Sequence, residues 1–148
     1  MDDQQAIALA LEEAKAAAGR GEVPVGAVLL AADGSLLARA GNRILERRDP
    51  TAHAEMEVMR AAAAALGNER LSGTTLYASL EPCAMCVGAL LEAQVRTLVY
   101  AVPDEERGAA GGAVQLARAP GMPHQISIIS GVREDEARRL TAVAPAPA

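Results

Sequence analysis

The chain contains no phenylalanine, no tryptophan and only two tyrosines among 148 residues. That rules out an aromatic-rich β-sandwich core. Alanine supplies 34 of the residues, so the core must be built from Val, Leu, Ile, Met and closely packed Ala. Such a core suits strands covered by helices. No run of about 18 apolar residues exists, which excludes a membrane-spanning helix. The opening "MDDQQAIALALEEAK" lacks the basic and apolar regions of a secretion signal, and points to a cytoplasmic protein. Cysteine is nearly absent: Cys83 and Cys86 are the only two. A reducing compartment argues against their forming a lasting disulfide. Lysine occurs once, and the net charge is −5, which speaks against indiscriminate nucleic-acid binding. Yet 13 of the 14 basic residues are arginine. Arg43, Arg47 and Arg48 cluster as a candidate phosphate-binding patch, the alternative being an ordinary solvated loop.

The length fits one domain with a full hydrophobic core. We place that domain at residues 1–143, with 144–148 as a disordered tail. Ile7, Leu11, Ala14 and Ala18 recur at helical spacing, which predicts a helix over 4–18 ended by Gly19 and Gly21. Two strands follow, about 23–31 and 35–41, joined by a turn at Asp33-Gly34. "RILERRDP" reads as a polar loop. Thr51 is the candidate cap of a helix over 52–66 that ends at Gly67. A strand over 74–79 leads to a helix over 82–93, with Pro82 in its first position. "RTLVYAV" is another strand and "PDEERGAAGG" a loop. "AVQLARA" suggests a short helical turn, "ISIIS" a last strand, and "REDEARRLTAV" a final helix. This order predicts a sheet with helices on both faces.

Cys83 and Cys86, three apart at the start of a predicted helix, are ambiguous alone. A redox dithiol, half of a structural zinc site and part of a catalytic site all fit. "DPTAHAEMEV" narrows the choice. It puts His53 and Glu55 at the start of the other long helix. Zn²⁺ takes imidazole nitrogen and thiolate sulfur, and a catalytic site uses three protein ligands. His53, Cys83 and Cys86 make three, and their combined charge balances the ion. His124, the only other histidine, lies far along the chain. The 30 residues between His53 and Cys83 allow one helix and one strand, a path that can return both helix N-termini to one end of the sheet. Glu55 is then the candidate proton carrier for a water whose pKa the ion lowers. Taken singly, His53 would pass for a cap residue and Glu55 for an ordinary helix-start charge. H-x-E together with P-C-x-x-C is the zinc deaminase signature.

On "EVPVGAV" (22–28), "GNR" (41–43), "DPTAHAE" (49–55), "LEPCAMCVGAL" (80–90), "GAAGG" (108–112) and "PGMPH" (120–124), the chain resembles the cytidine deaminase superfamily. Within it, the chain is most similar to the bacterial tRNA-specific adenosine deaminases. The resemblance implies a three-layer α/β/α sandwich with a mixed five-stranded sheet, one Zn²⁺ per subunit, and a homodimer. It implies conversion of adenosine to inosine at the wobble position of a tRNA anticodon. It also gives Asn42 and the Ala54 backbone N–H contacts with the base, and the Glu81 carbonyl the holding of water or ammonia. Asp104 joins the arginines as a candidate nucleic-acid contact. "EARRLTAVAPAPA" offers only Arg138 and Arg139 as cations and no aromatic, and Glu105 and Glu106 follow Asp104. Those features leave two alternatives: a deaminase of a free base or nucleoside, of guanine or cytosine type, and a catalytically silent zinc-binding partner subunit.

Overall fold

The structure, a computed structural model, describes residues 1–142, so the expectation for 144–148 lies outside the described residues. Ten elements follow in chain order: α1 (Asp3–Gly19), β1 (Gly26–Leu30), β2 (Leu36–Gly41), α2 (Ile44–Arg47), α3 (Ala54–Leu66), β3 (Thr75–Leu80), α4 (Ala84–Glu92), β4 (Thr97–Val102), β5 (Ser127–Ser130) and α5 (Glu134–Ala142). The five strands form one sheet in the order β2-β1-β3-β4-β5. β1 is antiparallel to both neighbours, while β3, β4 and β5 run parallel. The mixed five-stranded sheet expected from the resemblance is therefore present.

The burial pattern follows from position in the sheet. β1 is buried along its whole length, and β3 and β4 nearly so. Strands covered on both faces read as continuous apolar runs. The edge strand β5 is largely exposed and β2 partly so. Successive side chains alternate between faces. Val28, Leu30, Tyr77, Val99 and Ala101 pack with Ile7 and Leu11 of α1 and Ala137 of α5. Ala27, Leu29, Leu76, Ala78, Leu98 and Tyr100 pack with Val58 and Ala62 of α3 and with Val87, Leu90 and Leu91 of α4.

The glycine of "PVGAV" has a packing reason. A Cβ on Gly26 would lie within 3.0 Å of backbone atoms of Ala10 and Ala14 in α1. The bare backbone lets the helix settle directly on the sheet. The hairpin turn is as expected: Gly34 has φ +86°, a conformation glycine adopts freely, and Asp33 Oδ1 accepts the Ser35 N–H at 2.9 Å.

Four local expectations are corrected. "RILERRDP" contains the short helix α2, because the buried Glu22 carboxylate accepts the N–H groups of Leu45 and Glu46 at 3.1 and 3.0 Å. Thr51 does not cap α3. Its N–H and hydroxyl donate instead to Asp49 Oδ1 at 2.9 and 2.7 Å, and His53 holds the cap position. Pro82 stands outside α4, whose cap position is Cys83. "AVQLARA" forms no helix: it turns back through a bridge between Ala110 and Gln115.

Candidate active site

The N-termini of α3 and α4 meet at one end of the sheet, and the two motifs meet with them. His53 and Cys83 occupy the cap positions of the two helices in extended backbone conformation. Cap side chains normally accept a hydrogen bond from the first turn. Neither of these makes one, so both remain free for another partner. His53 Nδ1 lies 3.7 Å from Cys83 Sγ and 3.6 Å from Cys86 Sγ. One ligand atom from each of the three residues lies within 4.8 Å of the others. Because His53 precedes the helix, the roughly 200° separation of helical positions two apart does not keep it away from Glu55.

The three groups perturb one another's protonation. The hydrogen bond from Cys86 brings the Cys83 thiol down to about 3, with His53 adding to the effect against burial. Cys86 is pushed upward, first as the thiol donor to Cys83 and then by burial. Cys83 raises His53, against the effect of burial. Two soft sulfurs and one imidazole, uncommitted to the fold and close together, fit Zn²⁺. They would hold it through His53 Nδ1, Cys83 Sγ and Cys86 Sγ.

Glu55 is 3% exposed, and its Oε1 has no hydrogen-bond partner. Burial pushes its carboxyl upward, opposed by hydrogen bonding with Cys86. A buried carboxylate oxygen without a partner is costly to the fold, and a carboxyl perturbed in this way beside such a donor set is a candidate for proton transfer.

A cavity of about 130 Å³ opens on these groups. Its walls include Val23, Val25, Asn42, Ile44, His53 and Glu55, and on the other side Leu80, Glu81, Asp104 and Arg107. Asn42 is 5% exposed. Its Nδ2 donates to the Val23 carbonyl at 3.1 Å and its Oδ1 accepts the Ala54 N–H at 2.8 Å. The expected contact of that N–H with a base is thereby corrected: Ala54 is fully buried and its donor is already used.

The arginines of the candidate patch differ in their partners. Arg43 pairs with Glu46 at 2.8 Å, and Arg47 pairs with Glu57. Among the described residues, the guanidinium groups of Arg48 and Arg107 make no hydrogen bond or ion pair. Arg107 was not singled out from the sequence, although its place in the same loop as Asp104 was a usable signal. The carboxylates of Glu22 and Glu81 were missed as well. Both are buried at 2% exposure, and both belong to motifs that carried the resemblance.

Such a fold and donor set define a metal-dependent hydrolase of the deaminase class. Residues 1–102 match the cytidine and deoxycytidylate deaminase zinc-binding region, and the chain belongs to that family. It is 46% identical over 132 residues to the tRNA-specific adenosine deaminase of Agrobacterium fabrum, covering 89% of this chain and 86% of that one. A solved structure from studies of A-to-I editing by tRNA:A34 deaminases at the wobble position of transfer RNA superposes with a TM-score of 0.89. It is 45% identical and covers 92% of this chain and 98% of its own. The guanine deaminase of Nitrosomonas europaea superposes with a TM-score of 0.76 at 27% identity, covering 94% of this chain and 82% of that one.

Proposed function

We propose that this chain is a zinc-dependent hydrolase that converts adenosine to inosine at the wobble position of a tRNA anticodon. It acts in the cytoplasm as a homodimer, with residues 1–143 as one deaminase domain. Among the described residues no helix is long and apolar enough to cross a membrane. One observation carries the reading: the cap side chains of two helices converge with Cys86 beside the buried Glu55, whose Oε1 has no hydrogen-bond partner. The relatives described above add the substrate class.

The roles follow from position. His53, Cys83 and Cys86 hold the ion. When bound, it supplies a Lewis acid that makes a water nucleophilic near neutral pH. Glu55 would take a proton from the attacking water, pass it to the purine ring nitrogen, and serve the departing amine in turn. Its burial suits this work, because a carboxyl shifted upward accepts a proton readily. Water adds to the amidine carbon, ammonia leaves, and a carbonyl remains. Asn42 Nδ2 donates one hydrogen to Val23. Its second hydrogen is assigned to the purine. The Glu81 carbonyl, on the turn before the two thiols, keeps the role of holding the water or ammonia. The cavity admits one heterocycle, so the rest of the RNA must lie outside it. Arg107, the cation in its wall, is assigned to phosphate there, and Arg48 and Asp104 are further candidate contacts with the RNA.

Incubation with an anticodon stem-loop carrying a wobble adenosine should yield inosine, read by nucleoside analysis of the digested RNA. Ammonia release from guanine, cytosine, adenine and their nucleosides is measured in parallel. Turnover of a free base without inosine in the stem-loop would replace this reading with the small-molecule one. No turnover of any of them by zinc-loaded protein would leave the silent partner subunit.

A further inference from the structure

We propose that Glu81 is a positioning residue whose buried side chain sets the affinity for substrate by holding the 104–112 segment as one wall of the cavity. The proposal deepens the reading above, since the ligand whose affinity is measured is the anticodon stem-loop.

The 104–112 segment contains no helix and no strand, only isolated bridges. Its shape must come from other bonds, and Glu81 supplies them. Oε1 accepts the Asp104 N–H at 3.0 Å, and Oε2 accepts the N–H groups of Ala110 and Gly112 at 2.9 and 2.8 Å. Three backbone donors from both ends of the segment thus converge on one carboxylate. Hydrogen bonds to an ionised acceptor are roughly twice as strong as neutral ones, and they offset the cost of burying the charge. The glycines of "GAAGG" are part of the same device. A Cβ on Gly108 or on Gly112 would lie within 3.0 Å of both the Glu81 carboxylate and the Asp104 carbonyl. Only bare backbone can close around the acid.

The segment is joined to the metal turn as well. The Ala109 N–H donates to the Pro82 carbonyl at 2.9 Å, and Gly108 bridges Cys83. Asp104 in turn uses Oδ1 to accept the N–H groups of Glu106 and Arg107 at 3.0 and 3.1 Å. One chain of bonds therefore runs from Glu81 through Asp104 to Arg107, the residues that form this side of the cavity. Both carboxylate oxygens are used on the segment, so the side chain acts on the substrate only through the wall it holds.

Glu81→Gln keeps the shape but turns an NH₂ group toward backbone donors, so at least one N–H loses its acceptor. We expect KM for the stem-loop to rise about tenfold or more, with kcat within about threefold and zinc content unchanged. A KM within twofold of the parent value, or a fall in kcat at unchanged KM, would overturn the proposal. Should that variant fail to fold, the unmodified protein decides the matter. Amide hydrogen exchange at Ala110 and Gly112 should be slow in the RNA-free protein, and exchange as fast as in an open loop would refute it. The parent enzyme separates this proposal from the substrate assignment. If it deaminates a free base but not the stem-loop, the assignment falls, and the same KM comparison is made with that base.

Discussion

Asn42 Oδ1 accepts the backbone N–H of Ala54 at 2.8 Å, so the residue just after β2 is bonded to the first turn of the helix that follows His53. Nδ2 of the same side chain holds the Val23 carbonyl at 3.1 Å. One amide thus ties together three pieces of the cavity wall. Asn42→Ala removes both bonds and leaves a buried N–H without an acceptor. The cost is about 1–3 kcal/mol, which lowers the melting temperature by roughly 3–10 °C. Calorimetry checks it. An unchanged melting temperature would mean that Ala54 finds another partner and that Asn42 is free for the base alone.

The arginines divide by what they already touch. Arg43 and Arg47 spend their guanidinium groups on Glu46 and Glu57, whereas among the described residues Arg48 and Arg107 have no such partner. Alanine at Arg48 or Arg107 should weaken stem-loop binding. It should also flatten the dependence of log K on log salt by about 0.7 for each phosphate no longer neutralised, the value for single strands. Alanine at Arg43 or Arg47 should change the slope less, because Glu46 or Glu57 is released in the same step. Fluorescence anisotropy over a salt series distinguishes the two pairs. Equal slopes for all four variants would remove the distinction.

What could be read from the sequence was whatever depends on local pattern. The helical spacing of Ile7, Leu11 and Ala14 and the apolar runs of the central strands placed α1, β1, β3 and β4. The meeting of His53 with the two thiols followed from helix and strand lengths. The misreadings have two causes: a distant partner that local pattern does not display, and, for Thr51 and Pro82, a helix start displaced by one or two residues. Helix α2 exists because Glu22, more than 20 positions earlier, caps its N–H groups. "AVQLARA" has the composition of a helix, but its chain is drawn into the segment that surrounds Glu81. Thr51 and Pro82 looked like helix starts, yet the cap positions belong to His53 and Cys83. The resemblance assigned the Ala54 N–H to the base, whereas in this structure Asn42 accepts it.

Alkaline pH tests the packing of α1 on the sheet. The Tyr77 hydroxyl donates to Asp3 Oδ1 at 2.6 Å. Burial, and then this bond, push the phenol above its ordinary value of 10.0. A phenol with a raised folded pKa keeps its proton in the native state after the unfolded chain has lost it. Its stabilisation is complete below pH 10 and is lost as pH rises from there toward the raised value. Tyr77→Phe should therefore cost about 1 kcal/mol at pH 7–9, and the difference from the parent should close above pH 10. Urea unfolding from pH 7 to 11 measures both. A constant gap across that range would show that the hydroxyl does not titrate differently on folding.

Glu55 and Cys86 are neighbours, but their removal should have different effects. Glu55 is outside the donor set of His53, Cys83 and Cys86, so Glu55→Gln should keep one zinc per chain. What it loses is proton transfer, and kcat should fall about 10²–10⁴-fold with stem-loop binding nearly unchanged. Cys86→Ser replaces a buried thiolate ligand with a weaker oxygen donor, and should lose zinc and activity together. Atomic absorption beside single-turnover rates reads both variants. Loss of zinc from Glu55→Gln would move Glu55 into the metal's donor set. Retained activity in it would require another proton carrier, and within the cavity wall Asp104 is the remaining carboxylate whose side chain is not already committed to holding the 104–112 segment through three N–H groups.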